Sequence, residues 1–256
     1  MPLSRRRALA AAGATLLYGG LGGCSLLQRP SRIKMDLLHD DRACPATLAP
    51  ALLVLLPGAF MSPEELVEQG FVAAVRTRGL AVDVAIANAH IGYAQDGSIG
   101  RRLHEDVILP ARAWGYRRIW LAGISLGGFV ALAYEVTFPG SVEGILAMAP
   151  YLGRRTLVDA ITAAGGPATW ARQTPPDDAD IDARVWRWLA APPPQAPQVW
   201  LAYGREDRFA DSHRVLASLL PPARVAVVPG GHDWPPWRTL WAQWLDRGLL
   251  PQTCAA

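Results

Sequence analysis

Ile119-Trp120-Leu121-Ala122-Gly123-Ile124-Ser125-Leu126-Gly127-Gly128-Phe129-Val130 sets a short apolar run against a stretch of small and apolar residues, with one serine between them. Residues 119–122 follow the charged pair Arg117-Arg118 and read as a buried parallel strand. Residues 126–134 read as a helix. Between the two, Gly123-x-Ser125-x-Gly127 marks a chain reversal so tight that the serine must take a strained backbone conformation. Glycine on either side leaves no β-carbon to clash with the strand or the helix. Ser125 is then held at the carboxyl edge of a sheet, above the amino end of the next helix. Free N–H groups and the helix dipole at that point can stabilise a developing oxyanion. The same residues could form a tight strand–helix turn around an ordinary serine; the strand before and helix after favour a nucleophile.

The rest of the chain alternates in the same way. Residues 51–56 are continuously apolar, hence a buried strand, and end in Pro57-Gly58-Ala59-Phe60. Ser62-Pro63-Glu64-Glu65 then opens a helix expected to run to residue 78, with Ser62 as N-cap and Glu65 completing a capping box. Strands are expected over 33–38, 80–87, 142–149, 198–203 and 224–228. Residues 88–100 read as an irregular loop, 99–114 as a helix, and 211–220 and the Trp-rich stretch from 235 as further helices. Strands alternating with helices predict an α/β fold built on a doubly wound, mostly parallel sheet. Residues 153–197 interrupt the pattern with amphipathic pieces, proline clusters, Trp170, Trp186 and Trp188. They read equally as helices packed by their tryptophans and as a small cap over a site.

Serine attacks only when a base takes its proton and an acid holds that base in the right tautomer. Ser125, Asp207 and His232 follow one another in the chain, each just after an expected strand. His232 lies in the glycine-flanked loop Pro229-Gly230-Gly231-His232-Asp233-Trp234. His39 reads as a turn residue, and His104 and His213 as helix-surface residues. His90 follows a strand but precedes the serine. Either neighbouring carboxylate in Gly204-Arg205-Glu206-Asp207 is chemically able to orient His232; with Asp207 in that place, Glu206 reads as a solvated loop residue beside Arg205 and Arg208.

Gly-Ile-Ser-Leu-Gly-Gly at 123–128, the Gly-Arg-Glu-Asp turn and Pro-Gly-Gly-His-Asp-Trp resemble the α/β-hydrolase superfamily, most closely its small serine esterases. The resemblance spans roughly residues 48–247. It implies Ser125, Asp207 and His232 as the catalytic residues and the backbone N–H groups of Ala59 and Leu126 as oxyanion donors. Pro57 stands where the family commonly has histidine, which leaves backbone donation intact but makes Phe60 a competing donor. The implied activity is cleavage of a small-molecule carboxylic ester through an acyl-enzyme on Ser125. An acyltransferase with the same triad, or a binding protein that keeps the fold without turnover, are the other readings.

Composition bounds the partners. Of 256 residues, 51% are hydrophobic, enough for one large core. The formal charge of +3 comes entirely from Arg5, Arg6 and Arg7, since without them the 25 basic residues fall to 22 and balance the 22 acidic ones. A nucleic-acid partner therefore has no electrostatic footprint. Those arginines and the apolar residues 8–21 form an export signal too short to span a membrane. Leu21-Gly22-Gly23-Cys24 resembles the lipobox of bacterial lipoproteins, which implies lipidation of Cys24 and a cell-envelope protein anchored facing the periplasm, with Ser25 resembling outer-membrane sorting. The expected organisation is a signal peptide over 1–23, a connector and first strand over 24–47, and the hydrolase domain over 48–250. Cys44 and Cys254 are open to pairing or to remaining free. No phosphate loop, dinucleotide fingerprint or metal-spaced His/Cys cluster appears, so neither cofactor nor metal is expected.

Overall fold

The computed structural model describes residues 33–254 except Arg42 and Pro45; the expected signal peptide and Cys24 lie outside them. Seven strands form one sheet: β1 (Leu37–Asp40), β2 (Ala51–Leu56), β3 (Val82–Ala87), β4 (Arg118–Ile124), β5 (Gly144–Met148), β6 (Gln198–Gly204) and β7 (Val225–Val228). Their order is β1-β3-β2-β4-β5-β6-β7. Only β1 runs antiparallel, pairing Leu37 with Ala87; the remaining neighbours are parallel. The sheet is doubly wound, as its pattern of apolar runs predicts.

Alternation along the central strands divides the core in two. Leu52, Val54 and Leu56 of β2 face one apolar layer with Ile119 and Leu121 of β4, while Ala51, Leu53 and Leu55 face the other with Trp120 and Ala122. Both faces are covered, which is why β2 reads as continuously hydrophobic rather than alternating. The second layer is closed by α1 (Pro63–Glu68), α2 (Phe71–Thr77) and the Trp-rich α11 (Trp234–Leu245).

Several elements depart from the expected bounds for local reasons. Ser62 and Glu65 form the capping box, but the helix they open ends at Glu68, and α2 restarts after Gly70, whose φ of 82° is left-handed. The first strand lies at 37–40 rather than 33–38, so His39 is a strand residue, its ring tilted against Trp114 with centroids 5.8 Å apart. The loop after β3 contains a short helix, α3 (Ile91–Gln95), capped by His90 Nδ1 accepting from the Gly92 N–H. α4 (Ile99–Leu103) and α5 (Leu109–Trp114) are joined by a π turn over His104–Ile108. Pro110 has no N–H and would crowd the carbonyl four residues back. Widening the turn, with the Leu109 N–H reaching the His104 carbonyl, lets the helix continue.

α6 (Leu126–Thr137) follows β4, and three helices fill the crossover from β5 to β6: α7 (Arg155–Ala163), α8 (Pro167–Gln173) and α9 (Ile181–Ala190). Trp170 and Trp186 are buried in the same apolar layer as α6, and the Trp186 indole donates to the Leu152 carbonyl at 2.8 Å. Trp188 is partly buried against that layer. These tryptophans pack helices together.

At the amino edge of the sheet, Cys44 and Cys254 are joined by a disulfide across 210 residues, with α-carbons 5.8 Å apart. The Ala81 N–H bonds to the Pro251 carbonyl beside it, and buried Asp83 accepts from Tyr116 Oη at 2.7 Å and from the Ala49 N–H. A crosslink closing so long a loop restricts the unfolded chain strongly. Replacing both cysteines by serine should lower the unfolding free energy by about 2–4 kcal/mol. Urea titrations of the double variant and of the reduced parent check this; identical midpoints for all forms would mean the bond contributes nothing.

Candidate active site

The site is built where β2, β4, β5 and β6 end. Ser125 leaves β4 with φ 54° and ψ −114°. It and Ala149, just beyond β5 at φ 45°, are the two described non-glycine residues with positive φ. Such conformations cost roughly 1–3 kcal/mol each and persist only where the surroundings enforce them. Here the Ser125 N–H is bound by the Met148 carbonyl at 2.9 Å, and its own carbonyl accepts from the Phe129 and Tyr151 N–H groups. A β-carbon on Gly123 would lie 2.2 Å from Gly127 backbone, and one on Gly127 would lie 2.0 Å from the Leu56 carbonyl oxygen. The elbow thus presses directly on the end of β2, and both glycines are required by contact as well as by the turn.

After β2, the Met61 N–H closes a turn on the Gly58 carbonyl at 3.1 Å. Among the described residues the N–H groups of its central residues, Ala59 and Phe60, meet no acceptor. The Gly58 N–H is engaged by Met61 Sδ at 3.3 Å. Leu126 begins α6, so its N–H belongs to the first helical turn, where no intrahelical acceptor exists. The expected donor residues, Ala59 and Leu126, therefore both carry uncommitted N–H groups at this edge, and so does Phe60.

Asp207 and His232 are brought together by a close approach of two loops. A β-carbon on Gly204 would lie 2.2 Å from the Gly230 carbonyl oxygen, so only glycine at the end of β6 lets the loop after β7 lie on the Asp207 turn. His232 Nδ1–H then donates to Asp207 Oδ2 at 2.8 Å, while Asp207 Oδ1 accepts from the Phe209 N–H at 2.8 Å. Asp207 is buried. Burial opposes its ionisation, but the bonds from His232 and the Phe209 N–H outweigh this and hold the carboxyl below its usual range. With Nδ1 committed as a donor, Nε2 of the neutral imidazole is the basic nitrogen. The ring is wedged edge-on between Phe209 and Trp237, with centroids 5.2 and 5.0 Å away. Ser125 Oγ makes no hydrogen bond among the described residues; hydrogen bonds to a nucleophile often tighten only when substrate is bound.

Glu206 is not merely a solvated loop residue. Its Oε2 accepts from the Gly230 N–H at 2.6 Å, and its N–H donates to the Gly230 carbonyl at 3.1 Å. It clamps the loop that carries His232. His104 also leaves the helix surface, stacking on Phe138 at 4.0 Å and sharing a hydrogen bond with Tyr134 Oη at 2.9 Å.

The larger departure is His213 of α10 (Ala210–Ala217), read from sequence as a surface residue but fully buried. Its Nε2 lies 2.8 Å from the Pro150 carbonyl, which only an N–H can satisfy, and Nδ1 is sealed without a partner. Since the Tyr151 N–H holds the Ser125 carbonyl, His213 ties α10 to the Pro150–Tyr151 peptide bond that braces the elbow. Ala210, His213 and Leu216 recur at helical spacing on the buried face, a signal present in the sequence.

Burial pushes the His213 pKa down to about 4. An unfolded histidine binds a proton near pH 6.5, whereas the native one stays neutral until about pH 4. Stability is therefore full above pH 6.5 and falls as acid approaches pH 4, by about 3 kcal/mol from this group. Asp207, with its lowered pKa, loses its contribution as pH falls through and below the usual carboxylate range, mostly beneath that window. Urea unfolding at pH 7 and pH 4.5 should show the drop, and His213→Asn should flatten it; an equal slope in the variant would assign the acid sensitivity elsewhere.

Among the described residues no three His, Cys, Asp or Glu side chains gather as a metal site requires. No helix of these residues is long and apolar enough to cross a membrane.

A mostly parallel, doubly wound sheet with a serine elbow after its central strand defines an α/β-hydrolase. The chain belongs to the esterase family described as "Putative esterase", whose profile matches residues 109–246, more than half its length. No curated protein matches it in sequence. Similar solved structures include the S-formylglutathione hydrolase FrmB from Staphylococcus aureus, at 15% identity and TM-score 0.55, covering 83% of this chain and 89% of that one. Est1E from Butyrivibrio proteoclasticus has 12% identity and TM-score 0.55, covering 82% and 91%. A ferulic acid esterase has 16% identity and TM-score 0.54, covering 83% and 97%. At such identities the likeness is one of fold; the family match carries the esterase assignment.

Proposed function

We propose that this chain is a serine-dependent carboxylic ester hydrolase with Ser125 as nucleophile, His232 as base and Asp207 as the residue that orients and stabilises the imidazole. The observation that carries the reading is the 2.8 Å bond from His232 Nδ1 to Asp207 at the sheet edge where Ser125 sits on its strained turn. His232 Nε2 takes the Ser125 hydroxyl proton as Oγ bonds to the ester carbon, and the carbonyl electrons move onto oxygen. The N–H groups of Leu126 and Ala59 hold that oxyanion. Its collapse breaks the bond to the alcohol oxygen, which receives the proton from His232. Water then repeats the sequence on the acyl-enzyme, with His232 again base and then acid.

A fluorophosphonate tests this directly, because Ser125 would displace fluoride and keep the phosphonyl group. Wild type should be labelled and Ser125→Ala should not. Equal labelling of both would remove Ser125 from the chemistry and favour a binding protein that keeps the fold.

The same proposal places the protein in the cell envelope, cleaved before Cys24 and lipidated on it. The charged and apolar halves of residues 1–23 support this, as does the Cys44–Cys254 disulfide, since such bonds persist in oxidising compartments. Multiple acyl chains give stable attachment where one does not. Wild type should fractionate with membranes and Cys24→Ala should be released; a wholly soluble, unlipidated wild type would overturn the anchor.

A further inference from the structure

A groove of about 370 Å³ opens beside the candidate site, between the start of α7 and the segment joining β6 to α10. Its apolar wall comes from Tyr151, Val158 and Phe209. Two of these residues also touch the candidate site. The Phe209 ring lies edge-on to His232 at 5.2 Å and near Tyr151 at 6.0 Å, while the Tyr151 N–H holds the Ser125 carbonyl at 3.1 Å. The groove therefore shares the Phe209 ring with His232 and the Tyr151 residue with the brace on the Ser125 turn.

The charges along the groove are unevenly matched. Arg155 is 3.8 Å from Asp159, and Asp211 is bound by Arg214, so both aspartates already have cations. Arg208 also lines the groove, and no carboxylate of the described residues lies within ion-pair distance of it. Its guanidinium rests over the Phe209 face, 4.8 Å from the ring centroid. That contact holds a flat donor array at a set place while leaving its edge to solvent. Guanidinium edges match carboxylate and phosphate oxygens in paired hydrogen bonds.

We propose that this groove binds one arm of the ester substrate and that Arg208 recognises an anionic group, carboxylate or phosphate, on that arm. The inference rests on the serine esterase reading and narrows its substrate to esters with an apolar segment ending in negative charge. Either arm of the ester can carry the anion, and the two sources are separable. 4-Nitrophenyl hemisuccinate against 4-nitrophenyl butyrate places the charge on the acyl side; 4-acetoxybenzoate against phenyl acetate places it on the alcohol side.

The measurement is kcat/KM for each pair in wild type, Arg208→Gln, Arg208→Glu and, as a control on α8, Arg172→Gln. For the arm that occupies the groove, the anionic-to-neutral ratio should fall about tenfold in Arg208→Gln, as loss of a charge-assisted pair requires. It should fall further in Arg208→Glu, mainly through KM, and added salt should weaken it in wild type. Arg172→Gln should keep the wild-type ratio. Ratios unchanged in both Arg208 variants, for both pairs, would overturn the anion site while leaving the esterase reading intact. Ester turnover that survives Ser125→Ala, or a wild type that cleaves none of the four esters, would instead remove the esterase reading and this inference with it.

Discussion

Ser125→Ala should lower kcat for any ester the enzyme turns over by roughly 10⁶, because nucleophile and base act as one unit in such sites. The fold should survive. Alanine is smaller than serine, and the forces that hold the turn are backbone ones: the Met148 carbonyl on the Ser125 N–H and two N–H groups on its carbonyl. Ser125 Oγ makes no bond among the described residues that the variant would leave broken. Circular dichroism and a urea midpoint close to wild type should accompany the loss. His232→Ala should lose about as much, since without the imidazole the serine keeps its proton. A Ser125→Ala enzyme within tenfold of wild type would mean that the strained turn serves packing alone.

Asp207→Asn should keep the two loops together yet cost about 10⁴ in kcat. Asparagine retains size and one acceptor oxygen, but its NH₂ can face His232 Nδ1 only if that nitrogen gives up its hydrogen. The proton would then sit on Nε2, the atom required as base. The charge that stabilises the imidazolium also disappears. Glu206→Gln is the informative neighbour. Its amide oxygen can still accept from the Gly230 N–H, which Glu206 meets at 2.6 Å, and the residue is exposed. A change within about tenfold is expected, because a surface charge is worth at most ~1 kcal/mol. Glu206→Ala should do more harm than Glu206→Gln, since it removes the clamp on the His232 loop. A crippled Glu206→Gln beside an active Asp207→Asn would exchange the roles of the two carboxylates. Turnover of the purified, folded variants decides it.

Elements set by local rules were legible in the sequence. β2 was marked by an uninterrupted apolar run, α1 by a capping box, and the elbow by glycines two residues either side of Ser125. The spacing from Gly204 to Asp207, and the glycines before His232, also pointed to the pair that the structure joins. What escaped was mostly non-local. The break at Gly70 and the π turn before Pro110 were masked by continuous helical periodicity. His213 reads as a surface residue because a polar side chain on a short helix ordinarily faces water; its burial depends on the Pro150 carbonyl, 63 residues away.

The sequence by itself determined the alternation of strands and helices, the place of the serine turn, and the order of the three candidate catalytic residues. The first two follow from hydrophobic period and backbone sterics within a dozen residues, and the third from the resemblance to the α/β-hydrolases. Tertiary structure alone decided that Cys44 and Cys254 pair, that Glu206 holds the loop of its neighbour's partner, that Trp170 and Trp186 pack against the α6 layer, and that Arg208 stands over Phe209 at the edge of a groove. Those outcomes depend on which segments the folded sheet brings within a few ångströms, and chain spacing carries no record of that distance.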